Sequence, residues 1–280
     1  MLPRIASLIT LSALSIGLAF SAGAQPSPEA ATGFGNYIRA IEARLDQQHR
    51  AADAFLVPVT LPDAAARLAK GDLLIEKLTP VPGPELPGTL LFDWRGTAFV
   101  AGAKAADFEL LLRDFSAYPK VFVPEVVKGS TLSQEGDHLT SRLRVKQHHV
   151  VTVVLDTTYD VTFGHLDPQR GYDLSRSTEI SEIESAGTPA ENALPPEKAH
   201  GFLWRLNSYW SWEERDNGLF IQIESVSLTR SIPPGLGWAV RPMVESIPRE
   251  SLEFTLRSAA NALRKAPATQ DATPATDPKS

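Results

Sequence analysis

The chain has 280 residues, 43% hydrophobic and 21% charged, with a formal net charge of −6 and no cysteine. Those values fit an ordinary globular protein of one or two domains. They argue against a nucleic-acid partner, which needs a basic footprint, and they rule out disulfides and cysteine-ligated zinc.

The first thirty residues, MLPRIASLITLSALSIGLAFSAGAQPSPEA, place Arg4 ahead of an apolar run from Ile5 to Phe20 that closes in Ala22-Gly23-Ala24. This is the three-part layout of a secretory signal. Cleavage is expected after Ala24, giving an exported, periplasmic or secreted product. The rival reading is a retained N-terminal anchor. Nothing later in the chain approaches the ~18 consecutive apolar residues of a membrane span.

Residues 25–33 are rich in Pro, Ala and Ser and read as a linker. Phe34, Tyr37, Ile38, Ile41 and Leu45 then recur at helical spacing, with Arg39, Glu42, Arg44 and Asp46 opposite them, so an amphipathic helix is expected from Phe34 to about Arg50. "DAAARLAKG" predicts a short helix and "DLLIEKL" a strand. "TPVPGPELPG" is a rigid spacer, and residues 25–87 form an N-terminal helical extension with this Pro-rich linker.

From Thr89 a clearer order emerges. "LLFDWRGTAFV" predicts a strand. "AADFELLLRDFSAYPKVF" predicts a helix that Pro119 either ends or splits. Three hairpins follow, turning at "QEGD", "GHLDPQRG" and "EERDNG". In the last, Asn217-Gly218 suits a tight positive-φ turn. A final helix is expected from Pro248, with Leu252, Leu256, Ala259 and Leu263 along one face. Residues 266–280 are rich in Ala, Thr, Pro and Asp and are expected to be disordered. A long antiparallel meander with one apolar helix to cover it is an α+β arrangement, a curved sheet gripping its terminal helix.

"WRGTAFVAGAKAADFELLLRDFSAYPKVFVPEVV", with Tyr118-Pro119 closing its helix, resembles the opening of START and polyketide-cyclase-like domains of the SRPBCC superfamily. "PRESLEFTLRSAANALR" is similar to that superfamily's terminal helix. The resemblance spans residues 88–265 and implies a helix-grip fold. It also implies an apolar small molecule or lipid held between sheet and terminal helix, as most members have, or cyclase- or hydratase-like catalysis, as some have.

Alternation assigns faces. Phe202, Trp204, Leu206, Trp210 and Trp212 share one parity, read as the inner one. They form either core packing or an aromatic wall for a ligand. Arg176 shares a face with Tyr172, Leu174, Thr178 and Ile180 and is therefore expected to point inward, while Asp173, Ser175 and Ser177 are expected outside. A buried guanidinium needs a partner, and Glu224 is the candidate. Around Glu224 the apolar parity switches from Leu219, Ile221 and Ile223 to Val226 and Leu228, which a bulge at Glu224 and Ser225 explains. Arg142, Arg144, Lys146 and His148 form an outward basic stripe. It is either a solvated face or a transient contact with an anionic membrane.

The span "KQHHVVTVVLDTTYDVTF" is too long for one ordinary strand, and a turn is expected between Gln147 and Asp156. His148 and His149 are neighbours on extended chain and point to opposite faces, so they do not chelate one metal together. No metal or cofactor is expected. Hydrolase elbows, zincin motifs and dinucleotide fingerprints are missing from the sequence, and no catalytic residue is assigned. The candidate ligand-binding residues are Tyr159, Phe163, Arg176, Trp204, Trp210, Glu224 and Leu256. The reading is an exported binding protein for a hydrophobic small molecule, a lipid first. A structural or protein-interaction role and a cavity enzyme stand beside it. The sequence leaves the oligomeric state open.

Overall fold

A computed structural model describes residues 25–80, 86–148, 152–232, 235 and 237–265. The leader at 1–24 and the tail at 266–280 lie outside the described residues. No helix among the described residues is long and apolar enough to cross a membrane.

Ser27 caps the first helix, its hydroxyl accepting from the Ala30 amide at 3.1 Å, and Pro28 occupies the first turn, where no amide hydrogen is needed. Helix α1 therefore runs Pro28–Gln48. It begins inside the stretch read as a linker, because the cap and the proline outweigh the low-complexity composition. A short helix α2 (Ala64–Ala69) and strand β1 (Leu74–Lys77) follow.

The remaining strands are β2 (Thr89–Ala101), β3 (Val126–Glu135), β4 (His138–His148), β5 (Thr152–Asp167), β6 (Arg170–Glu184), the short β7 (Asn192–Ala193), β8 (Arg205–Arg215) and β9 (Gly218–Arg230). The sheet is antiparallel, in the order β1-β2-β9-β8-β6-β5-β4-β3, with β7 on β6. Helices α3 (Ala105–Arg113) and α4 (Tyr118–Val121) connect β2 to β3, so the break at Pro119 makes two helices rather than one. Strand β1 pairs with β2, so the N-terminal extension supplies the sheet with an edge strand. The expected two-strand reading of "KQHHVVTVVLDTTYDVTF" agrees with β4 ending at His148 and β5 beginning at Thr152. The connection, with His149, lies outside the described residues.

The β8–β9 turn places Asp216 and Asn217 at φ 55° and 56°, and Gly218 is already the first residue of β9. The tight hairpin is as expected but sits one residue earlier. Both central positions carry short polar side chains that tolerate the left-handed region.

The last helix, α5, runs Gly237–Lys265 and starts well before Pro248, with Pro242 and Pro248 both inside it. Leu252, Leu256, Ala259, Ala260 and Leu263 are its buried stripe, and they pack on the inner face of the sheet, chiefly on β2. Gly96 permits the approach: a Cβ there would stand 3.0 Å from a Leu256 methyl.

The outer face of the sheet is also covered. Ala30, Phe34, Ile38, Ile41 and Leu45 of α1 form a second buried cluster with Trp204, Tyr209, Val226 and Leu228. The architecture is thus an α+β helix-grip fold with an added helical layer, and the apolar face of α1 is spent on the sheet.

Two-sided burial corrects several face assignments. Strand β9 pairs with β2 and β8 in unbroken register through Glu224 and Ser225, so there is no bulge. Leu219, Ile221, Ile223, Ser225, Ser227 and Thr229 all face α5, whereas Val226 and Leu228 face α1. Polarity switches along β9 because a different helix covers each face; the parity is continuous. On β6, Leu174 and Arg176 lie on the α1 side and Asp173 and Ser175 on the α5 side, the reverse of the expectation. Trp204 precedes β8 and packs in the cluster on the α1 side while Leu206 lines the inner side, so strand alternation does not carry back from Leu206 to it.

Candidate functional site

Helix α5 lies over β2 and β9, and α3 packs on one end of β6 and β8 through Phe108 against Trp210 and Trp212, which leaves part of the inner surface of β4, β5, β6 and β8 uncovered. The space between is a cavity of about 300 Å³. That is the small end of the range for ligand pockets. Phe115, Tyr118 and Phe122 close one end from the α3–α4 segment, and Phe202 and Leu203 stand at another border ahead of β8. Leu143 and Val145 of β4, Val153 and Leu155 of β5, and Leu252 and Phe254 of α5 supply aliphatic and aromatic wall. Phe202 is 46% exposed, which makes it an apolar residue at the edge between cavity and solvent.

One wall is polar. Ser175, Ser208 and Ser225 are directly opposed on β6, β8 and β9, and all three line the cavity. Ser227 and Thr229 continue the lining along β9. Small side chains here leave the space that larger ones fill at Trp210, Trp212 and Ile221. Asp173 lies two residues before Ser175 on the same face. It is fully buried, and its Oδ1 has no hydrogen-bond partner in the protein. Burial pushes its carboxyl up to about 8, against the opposing pull of the Trp210 backbone amide and the Arg113 charge. Glu125 is raised as well, again by burial. Gln147 reaches across to Ser251 of α5, donating at 2.7 Å. Tyr118 donates its hydroxyl to the Leu112 carbonyl at 2.9 Å, and Tyr159 is pushed up to about 12 by burial. Among the described lining residues there is no Lys, Arg or His.

Of the residues singled out from sequence, Tyr159 and Trp210 line this cavity. Phe163 and Leu256 are buried on the same side of the sheet but in the packed interior, Phe163 beneath the Arg113 guanidinium at 4.1 Å and Leu256 against Gly96. Trp204, Arg176 and Glu224 lie on the α1 side. Arg176 and Glu224 do not pair with each other. Arg176 donates to Glu42 at 2.5 Å, and Glu224 accepts from Arg44 at 2.5 and 2.7 Å. Both partners belong to α1, whose charged residues were read as its solvent face. They reach down from the flanks of its apolar stripe instead. The same interface holds Tyr37 on Asp93 at 2.7 Å and His49 against Ser211 at 2.8 Å. Burial, with Glu224 nearby, raises Asp93 to about 7, and burial lowers His49 to about 4.

Sequence reasoning did not reach Asp173, the serine row or the aromatic trio Phe115, Tyr118 and Phe122 in and beside α4. Their signal was the polar parity of Asp173, Ser175 and Ser177 and the run Ser225, Ser227 and Thr229, polar residues at inner positions of central strands. The basic stripe on β4 is partly neutralised: Arg144 donates to Asp156 at 2.6 and 2.8 Å and to Glu191 at 2.6 Å. His148 bonds Thr152 at 2.7 Å on the surface. Among the described residues no group of three His, Cys, Asp or Glu side chains converges as a metal site.

No family model matches the chain, and no curated protein sequence does. Several solved structures are similar to it. A STAR-related lipid transfer protein fragment from Xanthomonas axonopodis is 18% identical, with 65% of this chain and 97% of that one covered at a TM-score of 0.42. An aromatase/cyclase from Streptomyces sp. R1128 is 16% identical over 63% and 95%, at 0.44. A START superfamily protein from Mycobacterium smegmatis is 16% identical over 63% and 97%, at 0.40.

Proposed function

We propose that this chain is an exported binding protein for a hydrophobic small molecule, a lipid first among the candidates, held between the sheet and α5. The observation that carries the proposal is the cavity of about 300 Å³, walled by aromatic and aliphatic side chains and bordered by the exposed Phe202. A ligand that hides roughly 500 Å² of its own and the wall's apolar surface gains ~12 kcal/mol at ~25 cal/mol per Å². Subtracting an association cost of at least ~4 kcal/mol leaves affinity near the micromolar range. Titration with the apolar fluorophore N-phenyl-1-naphthylamine tests it: saturable, one-to-one enhancement is expected. A linear, non-saturating response from folded protein rejects the reading.

Export rests on the leader pattern of residues 1–24. Periplasmic protein from an expressing bacterium should begin at Gln25 by intact mass, and full-length protein retained in the cytosol would sink that part. A cavity enzyme is the second reading, and Asp173, a buried acid in the wall, is its one supporting observation. Recovery of a bound molecule chemically unchanged after prolonged incubation favours binding over turnover. The interaction role loses the surface it invoked, because Phe34, Ile38, Ile41 and Leu45 are buried against the sheet.

A further inference from the structure

The polar groups of the cavity have a geometry that bears on what it accepts. Ser175, Ser208 and Ser225 face one another across three adjacent strands, so their side chains form a row with steps of about 5 Å. Asp173 stands one inner position from Ser175 along β6, about 7 Å away. Its Oδ1 is shut off from solvent and has no partner in the protein. Such an atom is costly to leave unpaired, and Asp173 is one of the residues that line the cavity.

Charge narrows the choice. The two ionisable acids in the wall are Asp173 and Glu125, and no cationic side chain is among the described lining residues. An anionic headgroup entering this space would lose its hydration and gain no countercharge. A neutral oxygen loses less and finds several hydrogen-bonding groups within reach.

Resting on the binding reading above, we propose that the cavity selects an uncharged, oxygen-bearing apolar molecule, whose hydroxyl or carbonyl oxygen is bonded by Asp173 and the serine row, and discriminates against the matching carboxylate or phosphate. Burial keeps the Asp173 proton in place at neutral pH, so the carboxyl can donate to a carbonyl or accept from a hydroxyl.

The test is displacement of bound N-phenyl-1-naphthylamine from the full chain at pH 6.5 by 1-dodecanol, dodecanoate and dodecylammonium, three probes with one chain length and different charge. Dodecanol should displace at concentrations at least about tenfold lower than either ion. Asp173→Leu and Ser208→Ala should each weaken dodecanol three- to tenfold, the scale of one hydrogen bond, and leave dodecanoate unmoved. Saturable probe binding with equal displacement by dodecanoate overturns this proposal alone, and so does tighter displacement by dodecylammonium, which would mark a cation site. If Asp173→Leu does not fold, unchanged dodecanol affinity in Ser208→Ala overturns the role of the row. Absence of saturable probe binding removes the binding reading and this proposal with it.

Discussion

Filling the cavity should raise stability and lower affinity together. The double substitution Ser208→Leu/Ser225→Leu places two branched side chains on adjacent strands in the polar wall. Each change adds two heavy atoms net, roughly 60 Å³ if each takes about the ~30 Å³ of a water molecule. Together they occupy ~120 Å³ of the about 300 Å³ available. Cavity filling commonly stabilises by ~0.5–2 kcal/mol, and in a domain of this size that is an upward shift of about 1–8 °C in melting temperature. Calorimetry and fluorophore titration on the same preparation check both signs. A fall in melting temperature, the signature of overpacking, would mean that the space is not there. A rise with undiminished fluorophore binding would mean that the ligand binds elsewhere.

Four further outcomes follow from contacts in the same structure. Asp173 has a folded-state value near 8, above its unfolded value, so the folded chain holds an extra proton between about pH 4 and 8. The stability associated with it is present below pH 4 and is lost as pH rises toward 8; Asp173→Asn should flatten that decline in urea unfolding followed across pH. Arg44→Met leaves Glu224 buried without its cation and should cost about 1–3 kcal/mol in urea unfolding, less than a fully buried pair because Arg44 is 42% exposed, with part of the loss recovered in Arg44→Met/Glu224→Gln. Leu256→Ala should cost ~2–5 kcal/mol, while Arg176→Met, which breaks only the contact to Glu42 on the outer face, should leave fluorophore affinity unchanged.

Much of the architecture was legible because it is written in local patterns. The three hairpins, the stripe of Leu252, Leu256, Ala259 and Leu263, and the strand–helix–meander–helix order all survive in the structure. The candidate site was legible only in part, at Tyr159 and Trp210. Apolar parity names a buried face but does not say which partner buries it. With α1 on the outside, Tyr209, Val226 and Leu228 are buried away from α5 with Leu174 half-buried beside them, and Arg176 and Glu224 go with them. On β6 and the later part of β9 it is the inner face that carries the polar residues Asp173, Ser175, Ser225, Ser227 and Thr229. A binding cavity departs from the hydrophobic-in rule where it has a use for hydroxyls, so Asp173 and the serines looked like surface. The start of α5 was hidden for another reason: Pro248 suited the first turn of a helix, yet the helix begins at Gly237 and runs through both Pro242 and Pro248.

Native mass spectrometry of the purified chain, beside its Ser208→Leu/Ser225→Leu variant, decides whether the space between the sheet and α5 holds a small molecule. The expected result is a population of the wild-type chain carrying extra mass of a few hundred daltons, released on activation and missing from the variant. Bare wild-type mass together with no saturable uptake of any of the apolar probes would contradict it.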